Sequence, residues 1–153
     1  MDTAVLKKVP LFEGLNSTQL AKVVAITSER QYQAGEKIFK EGDAGSEFFV
    51  ILQGRVRISK SIAGVGEEAL AILEPGAYFG EMALVDDTPR SADALAHTSC
   101  TLRVIKRDEL EGLMFTDKEI AYTLLWTFVR TLAVRLRETN DKIKTFFAMA
   151  AHF

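Results

Sequence analysis

Three rhythms of apolar and polar residues follow one another along the chain. In residues 1–28, Leu20, Val23, Val24 and Ile26 recur three and four apart in QLAKVVAI, with Asn16, Ser17 and Thr18 just ahead as N-caps. This pattern predicts a helix with one apolar face. The preceding VPLFEGL is a turn, marked by Pro10 and Gly14, whose Leu11, Phe12 and Leu15 are available for packing. From 29 to 106 the period shortens. The runs RQYQA, EKIFKE, SEFFVILQ, RVRISKSI, EEALAILE, SADALAH and TLRVIK are rich in β-branched and aromatic residues, with Gly35, Gly42, Gly45, Gly54, Gly64, Gly66 and Gly76 between or beside them. Short strands at such spacing predict an antiparallel sandwich or barrel. RVRISKSI alternates, placing Val56, Ile58 and Ile62 inward; FFVIL is apolar on both faces and reads as a central strand.

Residues 107–153 return to a helical rhythm. KRDELEGLM predicts a short helix within a hinge segment, 107–116. Thr116 and Glu119 then have the spacing of a capping box. After them comes a long stretch without proline or glycine, in which Ile120, Leu124, Phe128, Leu132 and Leu136 form one stripe, widened by Leu125 and Val129. A helix of about thirty residues is about 45 Å long. One small β domain cannot cover that length, so the stripe, together with Tyr122 and Trp126, calls for a further partner. A second copy of the same helix is the simplest.

Composition narrows this picture. With 153 residues, 48% hydrophobic and 26% charged, the chain suits one globular domain, 1–153, that needs no disulfide or structural metal. A net charge of −2 argues against a nucleic-acid surface. A single cysteine, Cys100, and the lack of a long apolar run or secretory leader point to a cytoplasmic protein outside the membrane. Catalytic constellations are weak. His97 and His152 have no partner at metal-ligand spacing, Cys100 reads as a buried strand residue, and Asp86 and Asp87 as solvated loop acids. No enzyme activity is expected.

The chemistry concentrates in residues 79–92, FGEMALVDDTPRSA. Gly80 lets the chain turn after a strand, and EMAL is long enough for one helical turn whose amides attract an anion. Arg90 approaches from the far end of the loop with a planar fork suited to a phosphate, and Ser91 adds a hydroxyl. A carboxylate beside a phosphate repels it, so Glu81 makes sense as an acceptor for hydroxyls on the same ligand. An anion with neighbouring hydroxyls describes a sugar phosphate.

FGEMAL, the gap VDDT and PRSA together resemble the phosphate-binding cassette of cyclic nucleotide-binding domains, as found in protein kinase A regulatory subunits, cyclic nucleotide-gated channels and bacterial catabolite activators. GEKIFKEGDAGSEFFVILQGRVRI resembles the first half of that family's β-roll, and VPLFEGLNSTQLAKV its N-terminal helical segment. The resemblance implies an α+β fold: an antiparallel β-roll (a jelly roll, 29–106) flanked by N-terminal helices (1–28) and a long C-terminal helix (107–153). It implies that Arg90 grips a 3′,5′-cyclic phosphate and that Glu81, aided by Gly80, accepts from the ribose. The amides of Ala83 and Ser91 and the Ser91 hydroxyl would complete the phosphate shell. Phe79, Met82 and Ala92 complete the cassette. On the long helix, Thr139 and Asn140 stand where catabolite activators reach the adenine; stacking of Arg135 or Arg137 on the base, or a plain solvated face, are the alternatives. The implied ligand is cAMP in preference to cGMP, with no other cofactor. The expected output is movement of the C-terminal helix, passed to a homodimer or to an unidentified protein effector. No recognition helix fits the chain, so DNA binding is not expected of it. The alternatives are the sensory part of a larger regulator and a β-roll interaction protein that binds no ligand.

Overall fold

The computed structural model describes residues 3–151; His152 lies outside them. Helix α1 (Thr3–Lys7), a 3-10 turn (Pro10–Phe12) and α2 (Ser17–Ala25) precede the strands. Asn16 caps α2: its side chain accepts from the Gln19 amide at 2.9 Å, while Gln19 Oε1 accepts from the Asn16 amide at 3.0 Å.

Two four-stranded antiparallel sheets follow. The first has the order β1 (Thr27–Tyr32), β8 (Cys100–Lys106), β3 (Glu47–Gln53), β6 (Tyr78–Phe79). The second has β2 (Lys37–Phe39), β7 (Asp93–Ala96), β4 (Val56–Ile62), β5 (Gly66–Leu73). This is the β-roll that the resemblance implies. Strand β3 is central, as its doubly apolar sequence predicts, and both faces are used. Phe48 and Val50 pack on the helices with Phe12, Leu110, Ile120 and Leu124. Phe49 and Ile51 pack between the sheets with Val56, Phe79, Leu102 and Val104. Cys100 is buried in that second cluster, and burial pushes its thiol pKa up.

Three points differ from the sequence reading, the first being a strand that none of its seven candidate runs covers. Strand β6 has two residues, too short to show any alternation in the sequence. Ile62 is 45% exposed rather than inward. The β4–β5 ladder pairs Ile58 with Ala71 and Ser59 with Ala69, skipping Leu70; beyond this bulge Ser61 and Ile62 are exposed. Third, the long helix is capped by Asp117, which accepts from the Ile120 amide at 3.2 Å, and not by Thr116. The Thr116 hydroxyl is already donated to the carbonyls of Gly112 and Leu113 at the end of the preceding helix.

That preceding helix is α3 (Arg107–Thr116), and the long one is α4 (Lys118–Ala150), 33 residues and about 50 Å. Within it Ile120, Leu124 and Phe128 are buried, Leu132 packs at the edge of the cluster, and Leu136 is 61% exposed. Past Ala133 every described residue of the helix is exposed.

Lys22 on α2 reaches Asp117 at 2.8 Å. That contact, helped by the Ile120 amide, holds the Asp117 carboxyl below its ordinary range. A carboxyl with a depressed folded pKa contributes stability above its unfolded pKa and loses it as pH falls through the folded value. The urea midpoints of the wild type and of Lys22→Met are therefore expected to differ at neutral pH. They should converge as pH drops below about 4, the ordinary carboxylate value. A gap constant across that range would remove the pair from the account.

Candidate functional site

The turn after β6 is built around Gly80, whose φ of 78° is left-handed. A Cβ there would also stand 2.9 Å from Arg90 Nη1. Glycine is thus required both for the backbone and for the approach of the arginine. Residues Glu81–Leu84 form the single helical turn read from EMAL, as a 3-10 turn. Its i→i+3 bond uses the Ala83 amide, which donates to Gly80 O at 3.2 Å. The gap closes with Thr88 N on Asp86 Oδ1 at 3.0 Å.

Arg90 is held through its backbone. Its amide donates to Asp43 O at 2.9 Å, and its carbonyl accepts from Gly42 N at 2.8 Å. The side chain is only 9% exposed. Nη1 donates to Gly80 O at 3.2 Å and Nη2 to Glu47 O at 2.7 Å. Nε has no hydrogen-bond partner. The guanidinium lies 4.2 Å from the centre of the Phe39 ring. Glu47 offers Arg90 its carbonyl, because its carboxylate is taken by Arg30, with Nη1 to Oε1 at 3.0 Å. Burial pulls the Arg90 pKa below its ordinary value, against the attraction of Glu47, Asp43 and Glu81. A buried cation with two of its five N–H donors bonded to main-chain carbonyls is a receptor for an anion.

Arg90 and Glu81 face one cavity of about 420 Å³. All eight cassette residues named from the sequence line it: Phe79, Gly80, Glu81, Met82, Ala83, Arg90, Ser91 and Ala92. Phe39 and Ile58 supply apolar wall, Phe39 tilted against Phe79 with ring centres 6.0 Å apart. Glu81 is itself buried, and its Oε1 accepts from Arg135 Nη1 on α4. Burial opposes the Arg135 charge, but the bond and attraction to Glu81, with smaller help from Tyr78, outweigh it and raise its pKa.

The helix residues are placed differently from the cassette. Thr139 and Asn140 are exposed and are not among the residues lining the cavity. Arg135 reaches the site, and it does so through the carboxylate of Glu81. Thr139 lies one turn beyond Arg135 on the same face, while Asn140 is roughly 140° around the helix. Sequence reading passed over Gly45 and Phe39. A Cβ on Gly45 would fall 2.1 Å from Arg90 Nε. The one available signal was the GDAG run; its second glycine has no left-handed φ, so the close approach of Arg90 is what requires it. Among the described residues no cluster of three or more His, Cys, Asp or Glu gathers as a metal site. No helix among them is long and apolar enough to cross a membrane.

An antiparallel roll with flanking helices, enclosing a buried arginine and a nearby acid, defines a receptor domain for a small anion bearing hydroxyls. The chain belongs to the cyclic nucleotide-binding domain family, whose family model matches residues 29–117. It is 34% identical over 135 residues to the cyclic AMP receptor protein of Thermus thermophilus, covering 88% of this chain and 61% of that one. It is 40% identical over 107 residues to a cAMP-dependent protein kinase regulatory subunit of Mycosarcoma maydis, covering 68% of this chain and 20% of that one. Among solved structures, the N-terminal domain of a transcriptional regulator from Streptomyces coelicolor superposes with a TM-score of 0.81 at 33% identity, covering 91% of this chain and 94% of that one. The chain thus spans less than two-thirds of the two curated relatives named here.

Proposed function

We propose that this domain is a cyclic nucleotide sensor whose ligand is cAMP, and that it works by binding and not by catalysis. The observation that carries the reading is the Arg90 guanidinium: buried, bonded to two main-chain carbonyls, and belonging to a residue that lines the same cavity as Glu81. A cyclic phosphodiester brings the single negative charge that one arginine balances, and Glu81 is placed to accept from its ribose. Phe39, Ile58 and Phe79 give apolar surface to the ring system. The named relatives that bind or respond to cAMP support the choice of base. Thr139, on the Arg135 face of α4, reaches the base once the helix closes. Asn140 stands roughly 140° around the helix from that face.

Ligand and α4 meet at one carboxylate. In this structure Glu81 holds Arg135; a ribose hydroxyl on Glu81 changes what that bond is worth, and so shifts the position of α4. The domain, 1–153 as one unit, acts in the cytoplasm. It transmits this shift through a dimer formed by α4 or to a protein effector, on its own or as the sensory part of a longer regulator.

Titration calorimetry with cAMP and cGMP side by side tests the reading, and cAMP is expected to bind more tightly. No heat with either would leave a β-roll that uses no ligand. Omitting the 2′-hydroxyl tests Glu81. Wild type is expected to bind 2′-deoxy-cAMP about tenfold more weakly than cAMP, the low end of a hydrogen bond to a charged group. Glu81→Gln should bind the two more nearly alike. An equal preference in both proteins would remove Glu81 from the ribose.

A further inference from the structure

Arg90 is a buried cation with carboxylates around it, yet its two hydrogen bonds go to main-chain carbonyls. Burial lowers its pKa, and of the three carboxylates that oppose this, Glu47 pulls hardest, ahead of Asp43 and Glu81. Each of the three is held by another donor. Asp43 Oδ2 accepts from the Lys40 amide at 3.0 Å, and Glu81 Oε1 accepts from Arg135. Glu47 is held by both arms of the Arg30 fork, Nη1 to Oε1 at 3.0 Å and Nη2 to Oε2. That is a bidentate, charge-assisted pair. The bond, set against burial, raises the Arg30 pKa above its ordinary value.

Strand register places all three groups together. Arg30 on β1 stands opposite Leu102 of β8, and Glu47, the first residue of β3, stands opposite Lys106 of the same strand. Leu102 and Lys106 are four apart, so Arg30 and Glu47 share one face of the sheet. It is the face on which Phe49 and Leu102 pack between the sheets. The Arg30 side chain crosses β8 along it to reach its partner. Arg90 comes to the same face: its Cζ lies 5.9 Å from the centre of the Phe49 ring, and its Nη2 is 2.7 Å from Glu47 O. One residue thus bonds Arg90 through its main chain and Arg30 through its side chain. Freed from Arg30, the carboxylate has two other cations beside it. Lys106, across the ladder, is exposed, and a pair with it is worth little. Arg90 is buried, where opposite charges attract more strongly. A carboxylate on Arg90 takes up donors and charge that an anionic ligand needs.

We propose that Arg30 is a positioning residue for the anion site: by holding the Glu47 carboxylate across β8, it keeps that carboxylate off Arg90 and leaves the guanidinium open to a ligand. This rests on the reading of Arg90 as the phosphate-binding group, which it deepens. Arg30 does not line the cavity, and its effect passes through Glu47. If the freed carboxylate occupies Arg90 in nine-tenths of the molecules, one in ten is competent to bind, and the apparent Kd rises about tenfold.

The test uses the full chain, with calorimetry against cAMP and crystal structures of the ligand-free proteins. Arg30→Met is expected to bind cAMP about tenfold more weakly than wild type, and its structure to show the Glu47 carboxylate on Arg90. Glu47→Gln keeps the carbonyl and removes the competing charge. Combined with Arg30→Met it should recover most of the affinity, and in the Glu47→Gln background Arg30→Met should change affinity little. A pair that only braces β1 against β3 gives a different result: no loss of affinity in Arg30→Met, or a loss that Glu47→Gln does not repair. Either overturns the proposal. Arg30 is partly exposed, and Arg30→Gln, polar at its tip, replaces Arg30→Met should the latter fold poorly. Wild type that binds no cAMP overturns the ligand reading. The ligand-free structure of Arg30→Met then still judges the exchange of partners: a Glu47 carboxylate on Arg90 upholds it, and one turned to solvent or to Lys106 overturns it.

Discussion

Replacing Arg90 with alanine is expected to weaken cAMP binding ten- to hundredfold. The variant loses charge-assisted hydrogen bonds worth about 1.5–3 kcal/mol, and each 1.4 kcal/mol is about a factor of ten in affinity. The ligand-free domain should barely notice. Arg90 donates to Gly80 O and Glu47 O and stacks on Phe39, but it does so as a buried charge whose carboxylate neighbour, Glu47, is committed to Arg30. Removing it forfeits those contacts and also relieves the cost of burying the cation. The contrast can be read in one thermal melt. Ligand at a hundred times its Kd stabilises wild type by about 2.7 kcal/mol. At the same concentration a variant bound a hundredfold more weakly gains about 0.4 kcal/mol. Arg90→Lys, which keeps the charge and loses the planar fork, should fall between the two. An alanine variant that binds cAMP as wild type does would end the assignment.

The sequence carries such a site unevenly, and the reason is distance along the chain. Glu81 and Arg90 are nine positions apart on one turn, so composition and spacing brought them together before any coordinates. The two faces of β3 were equally plain, because FFVIL leaves no polar face to expose. What could not be read is where long-range packing sets a phase. Which residue of a 33-residue helix meets Glu81 depends on how α3 and α4 dock on the roll, and no local rule fixes that. The helix pattern offered Arg135 as a stack for the base, and the fold places it on the carboxylate instead. Ile62 misled for a related reason: alternation in β4 assumed an unbroken ladder, and the residue that breaks it lies on β5. At the start of α4, a serviceable Thr-x-x-Glu pattern lost to Asp117 because the Thr116 hydroxyl had nearer acceptors in α3.

Gly45→Ala is expected to cost nearly as much affinity as removing Arg90 itself, with almost no loss of stability. The substitution adds one methyl, 2.1 Å from Arg90 Nε, 2.4 Å from Cζ and 2.7 Å from Nη2. Backbone strain plays no part, since Gly45 is not among the residues with left-handed φ. Arginine is long enough to yield, so the guanidinium moves by about an ångström or more to restore normal contact and the fold survives. The Arg90 backbone, bonded to Gly42 and Asp43, stays where it is. The displaced guanidinium leaves Gly80 O, Glu47 O and the face of Phe39, and its donors lose the alignment that the proposed grip on a cyclic diester needs. Bidentate recognition is lost with alignment, even though the charge remains. Non-additivity is the decisive readout. If Gly45 acts only by placing Arg90, then Gly45→Ala combined with Arg90→Ala binds cAMP no more weakly than Arg90→Ala alone, and the urea midpoint of Gly45→Ala stays close to that of wild type. Penalties that add across the double variant would mean that Gly45 touches the ligand by a route of its own, and the account of Arg90 as a guanidinium held in place by a missing side chain would fail.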